Sequence, residues 1–271
     1  MGFANIAIDG TPQPAGRGSR ELDEHVRSLT TAMTAAIKYQ SEGQRAQGDL
    51  HEAIAPAVLK AMAKIPRHLF IPHQYGGDVG TAYSALRVGQ IGEAETMSAP
   101  FTHAVMVSAA RVEPTSRVLE IGAGSGSQTA VLATLASQGR VTGLEINASL
   151  AEHARRTLDA LGFVQYVEIH TVGDGYDGFA QDAPYDVIIV SAATDHGPQP
   201  LVDQLAAGGR LVIPLGLPKM QAIWVFTKRA DGALAGQLVI DNMGFVPLVG
   251  RGQAVWEQLK AQVSFRNING I

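Results

Sequence analysis

In the first part of the chain the apolar positions recur every three to four residues. Leu22, Val26, Leu29, Met33 and Ile37 keep this spacing from Glu21 onward, with Glu and Asp in the first turn, and predict an amphipathic helix ending near Gly43. A second helix is expected from about Pro56, with Val58, Leu59, Met62 and Ile65 on one face and Pro66 stopping it. From Arg117 the pattern changes. The runs R-V-L-E-I-G, V-T-G-L-E-I, Y-V-E-I-H-T-V, Y-D-V-I-I-V-S and G-R-L-V-I-P are short and nearly continuous in apolar character, with helical stretches such as residues 148–161 and 200–206 between them. Strands apolar on both faces, alternating with helices, predict a parallel sheet covered on both sides. The fold class is therefore α/β, a doubly wound and mostly parallel sheet, preceded by an N-terminal helical segment. The run A-I-W-V-F-T-K-R, the turn A-D-G and residues 236–248 predict a closing antiparallel hairpin.

The ends read differently. Residues 1–20 carry T-P-Q-P-A-G-R-G-S without periodicity and are expected to form a loosely attached leader. Residues 250–271 form a tail with Val255, Leu259 and Val263 at helical spacing. Between them, residues 21–110 and a core at 111–249 are expected to make one domain. Apolar residues are 46% of the 271 and charged residues 17%, which excludes a disordered chain. A net charge of −4 lacks the electrostatic footprint of a nucleic-acid binder. The absence of Cys removes disulfides, thiolate metal sites and cysteine nucleophiles, and fits a reducing, cytoplasmic setting. The opening residues lack the form of a signal peptide, and nothing approaches the roughly 18 apolar residues of a membrane span.

The sharpest chemical signal is V-L-E-I-G-A-G-S-G, a strand followed by glycines at alternate positions and a helix opening at Ser127. Gly122, Gly124 and Gly126, with Ala123 and Ser125 between them, let the backbone approach a ligand at a helix N-terminus. Ser127 occupies the last glycine position of the dinucleotide fingerprint, which counts against a nicotinamide cofactor. Glu120 ends this strand, Glu145 the second, and Asp174-Gly175 follows the third. A carboxylate at Glu120 suits a cationic group, Glu145 can accept ribose hydroxyls, and Asp174 can accept from an adenine amino group. Together these acids favour S-adenosylmethionine, with its ammonium and sulfonium, over a pyrophosphate cofactor. Each acid alone also reads as a solvated strand end.

These residues belong to a wider pattern. I-P-R-H-L-F-I-P, I-G-E-A-E-T-M-S-A-P, the glycine segment extended to S-Q-T-A, G-D-G-Y-D-G-F, A-P-Y-D-V-I-I-V-S-A-A, G-G-R-L-V-I-P-L-G and F-V-P-L occur in that order between about Gln44 and Leu248. The chain resembles the protein-L-isoaspartate (D-aspartate) O-methyltransferase family. The resemblance implies a Rossmann-like methyltransferase fold and transfer of a methyl group from S-adenosylmethionine to the free carboxylate of an isoaspartyl residue. The polypeptide ester then closes to a succinimide whose hydrolysis partly restores aspartate. It also implies that Ser98, in T-x-S-x-P with Thr96 and Pro100, is the acceptor-site serine. The implied cofactor set is Glu120, Gly122, Gly124, Glu145 and Asp174. Such chemistry needs no general base, because a carboxylate with a pKa of about 4 is ionised at neutral pH. Read by itself, Ser98 also suits the cap of a helix opening near Pro100.

The histidines carry no metal-ligand spacing, and no metal site is expected. His103, one turn beyond Ser98, reads first as a packed or surface helix residue and second as a lining of the acceptor pocket. Trp224 reads as core and Trp256 as a docking residue of the tail. Three features depart from the family pattern: Glu93 and Glu95 before T-x-S, the displaced proline in A-A-T-D-H-G-P, and the tail. They leave two alternatives, a paralogue methylating one dedicated peptide and a non-catalytic cofactor-binding adaptor.

Overall fold

The structure, a computed structural model, describes residues 17–76, 79–194, 197–217 and 220–250. The expected tail helix with Trp256, most of the leader, and Asp195 and His196 lie outside these residues. The N-terminal periodicity folds as α1 (Arg17–Gln47), burying Val26, Met33 and Ile37 at the expected spacing. The helix overruns both expected ends. Gly43 lies inside it with open space around its Cα, so it costs only its own entropy of about 1 kcal/mol. The chain turns instead at Gly48, whose φ of +85° suits glycine. Next come α2 (Pro56–Met62), a 3-10 turn at Arg67–Phe70 with all four residues buried, a second 3-10 turn at His73–Tyr75, and α3 (Val79–Ala82). A small antiparallel hairpin, β1 (Gly89–Gln90) with β2 (Thr96–Met97), leads into α4 (Pro100–Ala110).

The apolar runs form one seven-stranded sheet. Its strands are β3 (Arg117–Ile121), β4 (Arg140–Glu145), β5 (Val167–Thr171), β6 (Tyr185–Val190), β7 (Leu205–Leu217), β8 (Met220–Lys228) and β9 (Leu234–Met243), in the order β5-β4-β3-β6-β7-β8-β9. The first five are parallel and the last two antiparallel. The connecting helices are α5 (Ser127–Leu135), α6 (Ala148–Ala160) and α7 (Gln199–Asp203). Alternation within the strands divides the core in two. Val118, Val187 and Val212 face one layer, which includes residues of α1, α2, α4, α5 and α6, whereas Leu119, Ile188 and Leu211 face the other beside Leu201 of α7. Each such side chain contributes roughly 1.5–3 kcal/mol by leaving water.

Further boundaries differ from the expected ones, and α2 ends at Met62, short of Ile65 and of the expected stop at Pro66. Leu205 and Ala206 belong to β7, not to a helix over 200–206, because the strand begins early and slips register between Leu205 and Arg210. The second hairpin strand ends at Met243, and the segment after Gly244 leaves the sheet to bridge Ala193 through Pro247. Gln221 Oε1 captures the Phe245 N–H at 2.6 Å and redirects the chain. From β3 the chain moves outward to β4 and β5, then returns to the other side at β6. The crevice at the carboxyl ends of β3 and β6 is therefore the topological switch point, where open α/β sheets bind ligands. Among the described residues no helix is long and apolar enough to cross a membrane.

Candidate functional site

A cleft opens at this switch point. It encloses about 890 Å³, its open mouth included. The glycine loop forms its floor. Gly122, Gly124 and Gly126 all have positive φ, at +78°, +57° and +91°. Gly122 and Ala123 donate to Leu144 O, and Gly124 N donates to Glu145 Oε2 at 2.7 Å, so the loop is fastened to the end of β4. Gly124 also needs space, since a Cβ there would sit 3.1 Å from Ile91 Cδ1.

Glu120 lies at the bottom of the cleft, 1% exposed. Its oxygens accept from Gln128 Nε2 at 2.8 Å and from Thr129 Oγ1 at 2.6 Å. Burial outweighs these two bonds and pushes its pKa up to about 7, and among the described residues no cation pairs with it. Glu145 accepts from Gly124 N and, at 2.9 Å, from Asn147 N. Burial raises its pKa as well, with the nearby Glu95 adding to the rise. Among the described residues Ser125 Oγ and Gln128 Oε1 are buried without a hydrogen-bond partner, and both residues line the cleft. Two orphaned polar atoms beside an unpaired carboxyl group are what a polar, cationic ligand would satisfy.

The opposite wall comes from the N-terminal segment. Thr96 and Ser98 line it together with His103, which is 6% exposed. The N-cap of α4 is Ala99 and no side chain caps it, so Ser98 is not the helix cap that the local pattern allowed. His103 is both packed and cleft-lining. Its pKa is held well below the ordinary value by burial and by the Arg67 guanidinium. Glu95 is half-buried on the same wall, accepts from Asn147 Nδ2 at 2.9 Å and is held below the carboxylate range mainly by that bond. Glu93 is exposed.

Of the residues singled out from sequence, Thr96, Ser98, Glu120, Gly122, Ala123, Gly124, Ser125, Glu145 and Gly175 line this one cleft. Gly126 and Asp174 do not. A Cβ on Gly126 would lie 3.1 Å from Ala154 Cβ and Leu158 Cδ1, so this glycine lets α6 approach the loop. Asp174 is half-buried and caps the 3-10 turn at Gly175–Asp177 by accepting from Tyr176 N at 2.9 Å. The sequence pattern placed Val246, Pro247 and Leu248 in a strand, whereas they close one side of the cleft. Their signal was the F-V-P-L segment, in which proline cannot donate within a central strand. Among the described residues no three His, Asp or Glu side chains gather as a metal site.

Comparison with known proteins gives one consistent result. Residues 48–253 match the model of the protein-L-isoaspartate(D-aspartate) O-methyltransferase family. The chain is 45% identical over 194 residues to a protein-L-isoaspartate O-methyltransferase of Aeropyrum pernix, covering 71% of this chain and 72% of that one. It is equally identical over 194 residues to the protein of that name from Gloeobacter violaceus, covering 72% and 90%. A solved protein-L-isoaspartate O-methyltransferase superposes with a TM-score of 0.71 at 26% identity, over 84% of this chain and 68% of that one. A Plasmodium falciparum structure, described as a putative enzyme of the same name in complex with S-adenosyl-L-homocysteine, shares the fold with a TM-score of 0.61 at 24% identity, over 78% and 97%. With a family model matching most of its length and relatives at this identity, the chain belongs to the protein-L-isoaspartate(D-aspartate) O-methyltransferase family.

Proposed function

We propose that this chain methylates the free carboxylate of isoaspartyl residues in polypeptides, with Ser98 and Thr96 on the acceptor side and the glycine loop, Glu120 and Glu145 on the cofactor side. The observation that carries the reading is the buried Glu120 carboxyl, unpaired with any cation among the described residues, facing a cleft whose other wall presents a serine hydroxyl. S-adenosylmethionine, when bound, supplies an electrophilic methyl group on a sulfonium, which departs as a thioether as the carboxylate oxygen bonds the methyl carbon.

The residues of this chain then have separate tasks. Glu120 provides the negative charge for a cationic ligand, and the lone pairs of Glu145 not used by Gly124 and Asn147 remain for ligand hydroxyls. Asp174 has a structural task in the Gly175–Asp177 turn, and a contact with the adenine remains part of the proposal. The Ser98 hydroxyl orients one acceptor oxygen. As a neutral donor it leaves the nucleophilic lone pair available, which a directly contacting guanidinium would not. The apolar side of Val246, Pro247 and Leu248 sheds water from the acceptor, and positioning with partial desolvation is what this reaction needs from a protein. Because Ser98 is not a helix cap, its hydroxyl is free for this task. A cytoplasmic location is in keeping with the Cys-free composition.

The test is transfer of a tritiated methyl group to a hexapeptide containing isoaspartate, beside the same peptide with normal aspartate. Base-labile label on the isoaspartyl peptide alone is the expected result. No label, despite tight binding of the cofactor, would refute the reading and return the chain to an adaptor.

A further inference from the structure

The 3-10 turn at Arg67–Phe70 places a guanidinium immediately behind the acceptor wall. Arg67 is 4% exposed and does not line the cleft itself. Its Nε donates to Ala82 O at 2.8 Å, and Nη2 donates to Ser98 O. Nη1 meets His103 Nδ1 at 2.8 Å and donates to Ser127 Oγ at 3.3 Å. Every acceptor is neutral, and among the described residues no carboxylate forms an ion pair with it. Burial lowers its pKa only to about 9, so it is charged at neutral pH. A buried cation without a counter-charge is costly, and a purely structural joint between these elements could be made by neutral groups.

Its contacts fix the state of His103. A guanidinium has donors and no acceptor, so His103 Nδ1 must be the unprotonated nitrogen and the ring proton resides on Nε2. Burial and the positive charge both oppose a second proton. Among the described residues no acceptor meets Nε2, and the residue lines the cleft beside Ser98. Nε2–H is thus a second neutral donor on the acceptor wall. The same guanidinium holds the Ser98 backbone and reaches Ser127, the first residue of α5 after the glycine loop. One side chain therefore joins both acceptor-side donors to the cofactor side.

Building on the methyltransferase reading above, we propose that Arg67 is a positioning residue of the reaction: it locks His103 as an Nε2–H donor and sets the acceptor wall against the cofactor loop. An acceptor carboxylate then receives hydrogen bonds from Ser98 and His103 and feels the Arg67 charge one side chain further back. That charge attracts the anionic acceptor without occupying its lone pair, and the attraction disappears in the neutral ester, which favours release.

The experiment pairs kinetics with a measurement independent of activity. In the wild-type protein, nitrogen NMR of labelled histidine, with the His103 signal assigned by its loss in His103→Gln, should show a neutral ring protonated at Nε2. Arg67→Gln should shift that tautomer and lower kcat on the isoaspartyl hexapeptide by roughly tenfold to a hundredfold, while the Kd for S-adenosylhomocysteine changes less than about threefold. Arg67→Lys, which keeps charge but not the fork, should fall between them. His103→Gln, able to accept from Arg67 and donate into the cleft, should retain more activity than His103→Ala. A His103 proton on Nδ1, or a folded Arg67→Gln protein turning over at the wild-type rate, overturns the proposal. Should Arg67→Gln not fold, equal rates for His103→Gln and His103→Ala would overturn it equally. An inactive wild-type protein would instead refute the methyltransferase reading, which the tautomer measurement does not depend on.

Discussion

Replacing Glu120 by Gln tests the electrostatic logic of the cofactor side. The unliganded carboxyl, raised to about 7 by burial, is roughly half ionised at pH 7. Its native state holds more proton than the unfolded chain between about pH 4.5 and 7, so its contribution to stability is greatest on the acid side and falls as pH rises through that window. A cationic ligand reverses the preference, because it pairs only with the anion. Affinity should therefore rise by roughly two- to twentyfold between pH 6 and 7.5, with net proton release on binding near pH 7. The assay is calorimetry with S-adenosylhomocysteine from pH 6 to 7.5 in buffers of different ionisation enthalpy. Glu145 is raised too, so the comparison that matters is with Glu120→Gln, which should bind more weakly and lose most of the pH slope. A flat wild-type profile, or the same slope in the variant, would refute the assignment of Glu120 to a cationic group.

Three further outcomes are expected. Ser98→Ala should keep cofactor affinity and melting temperature while losing tenfold to a thousandfold in turnover, since its hydroxyl caps nothing; a lower Tm with normal turnover would contradict this. Gly126→Ala should destabilise the fold by about 1–3 kcal/mol in denaturant titration, from the φ of +91° and the 3.1 Å approach to Ala154 and Leu158. Glu93→Gln should narrow a preference for basic over acidic isoaspartyl peptides, a preference worth roughly 0.5–2 kcal/mol at low salt and reduced by screening; equal kcat/KM for both peptides in the wild type would remove the idea. Glu95 is the poorer probe, because its bond to Asn147 ties it to the start of α6.

The strands of the core were legible because burial on both faces leaves few polar interruptions, and β3 to β6 stand within a residue or two of the apolar runs. Punctuation by single residues was less dependable. Gly43 resembles a helix stop, yet on an exposed face a glycine costs too little to end thirty-one residues of helix, and Gly48 with its positive φ performs the stop. The early start of β7 had no local signal. It follows from pairing with Tyr185 across a register slip, and a pairing partner is not written in the strand's own sequence.

The two sides of the cleft differ in the same way. The proposed cofactor side is local: one strand, one glycine loop and one helix N-terminus carry Glu120, Gly122, Gly124 and Ser125, so spacing alone suggested a ligand there. The proposed acceptor side is assembled from segments around residues 67, 98, 103 and 246 that meet only when the N-terminal helices pack on the sheet and the chain after β9 folds back. Ser98 was visible in the sequence through a family pattern, but its local pattern pointed to a helix cap, and only the packed structure removes that reading. Arg67 was visible only as part of P-R-H-L-F, where nothing distinguishes a buried cation from a surface one. Sequence periodicity reports apolar burial, whereas burial of a charge depends on acceptors drawn from three distant elements. On the proposed role of Arg67, Ser127, whose Oγ accepts from Nη1, belongs to the same unit as Ser98 and His103 although it opens α5 after the glycine loop.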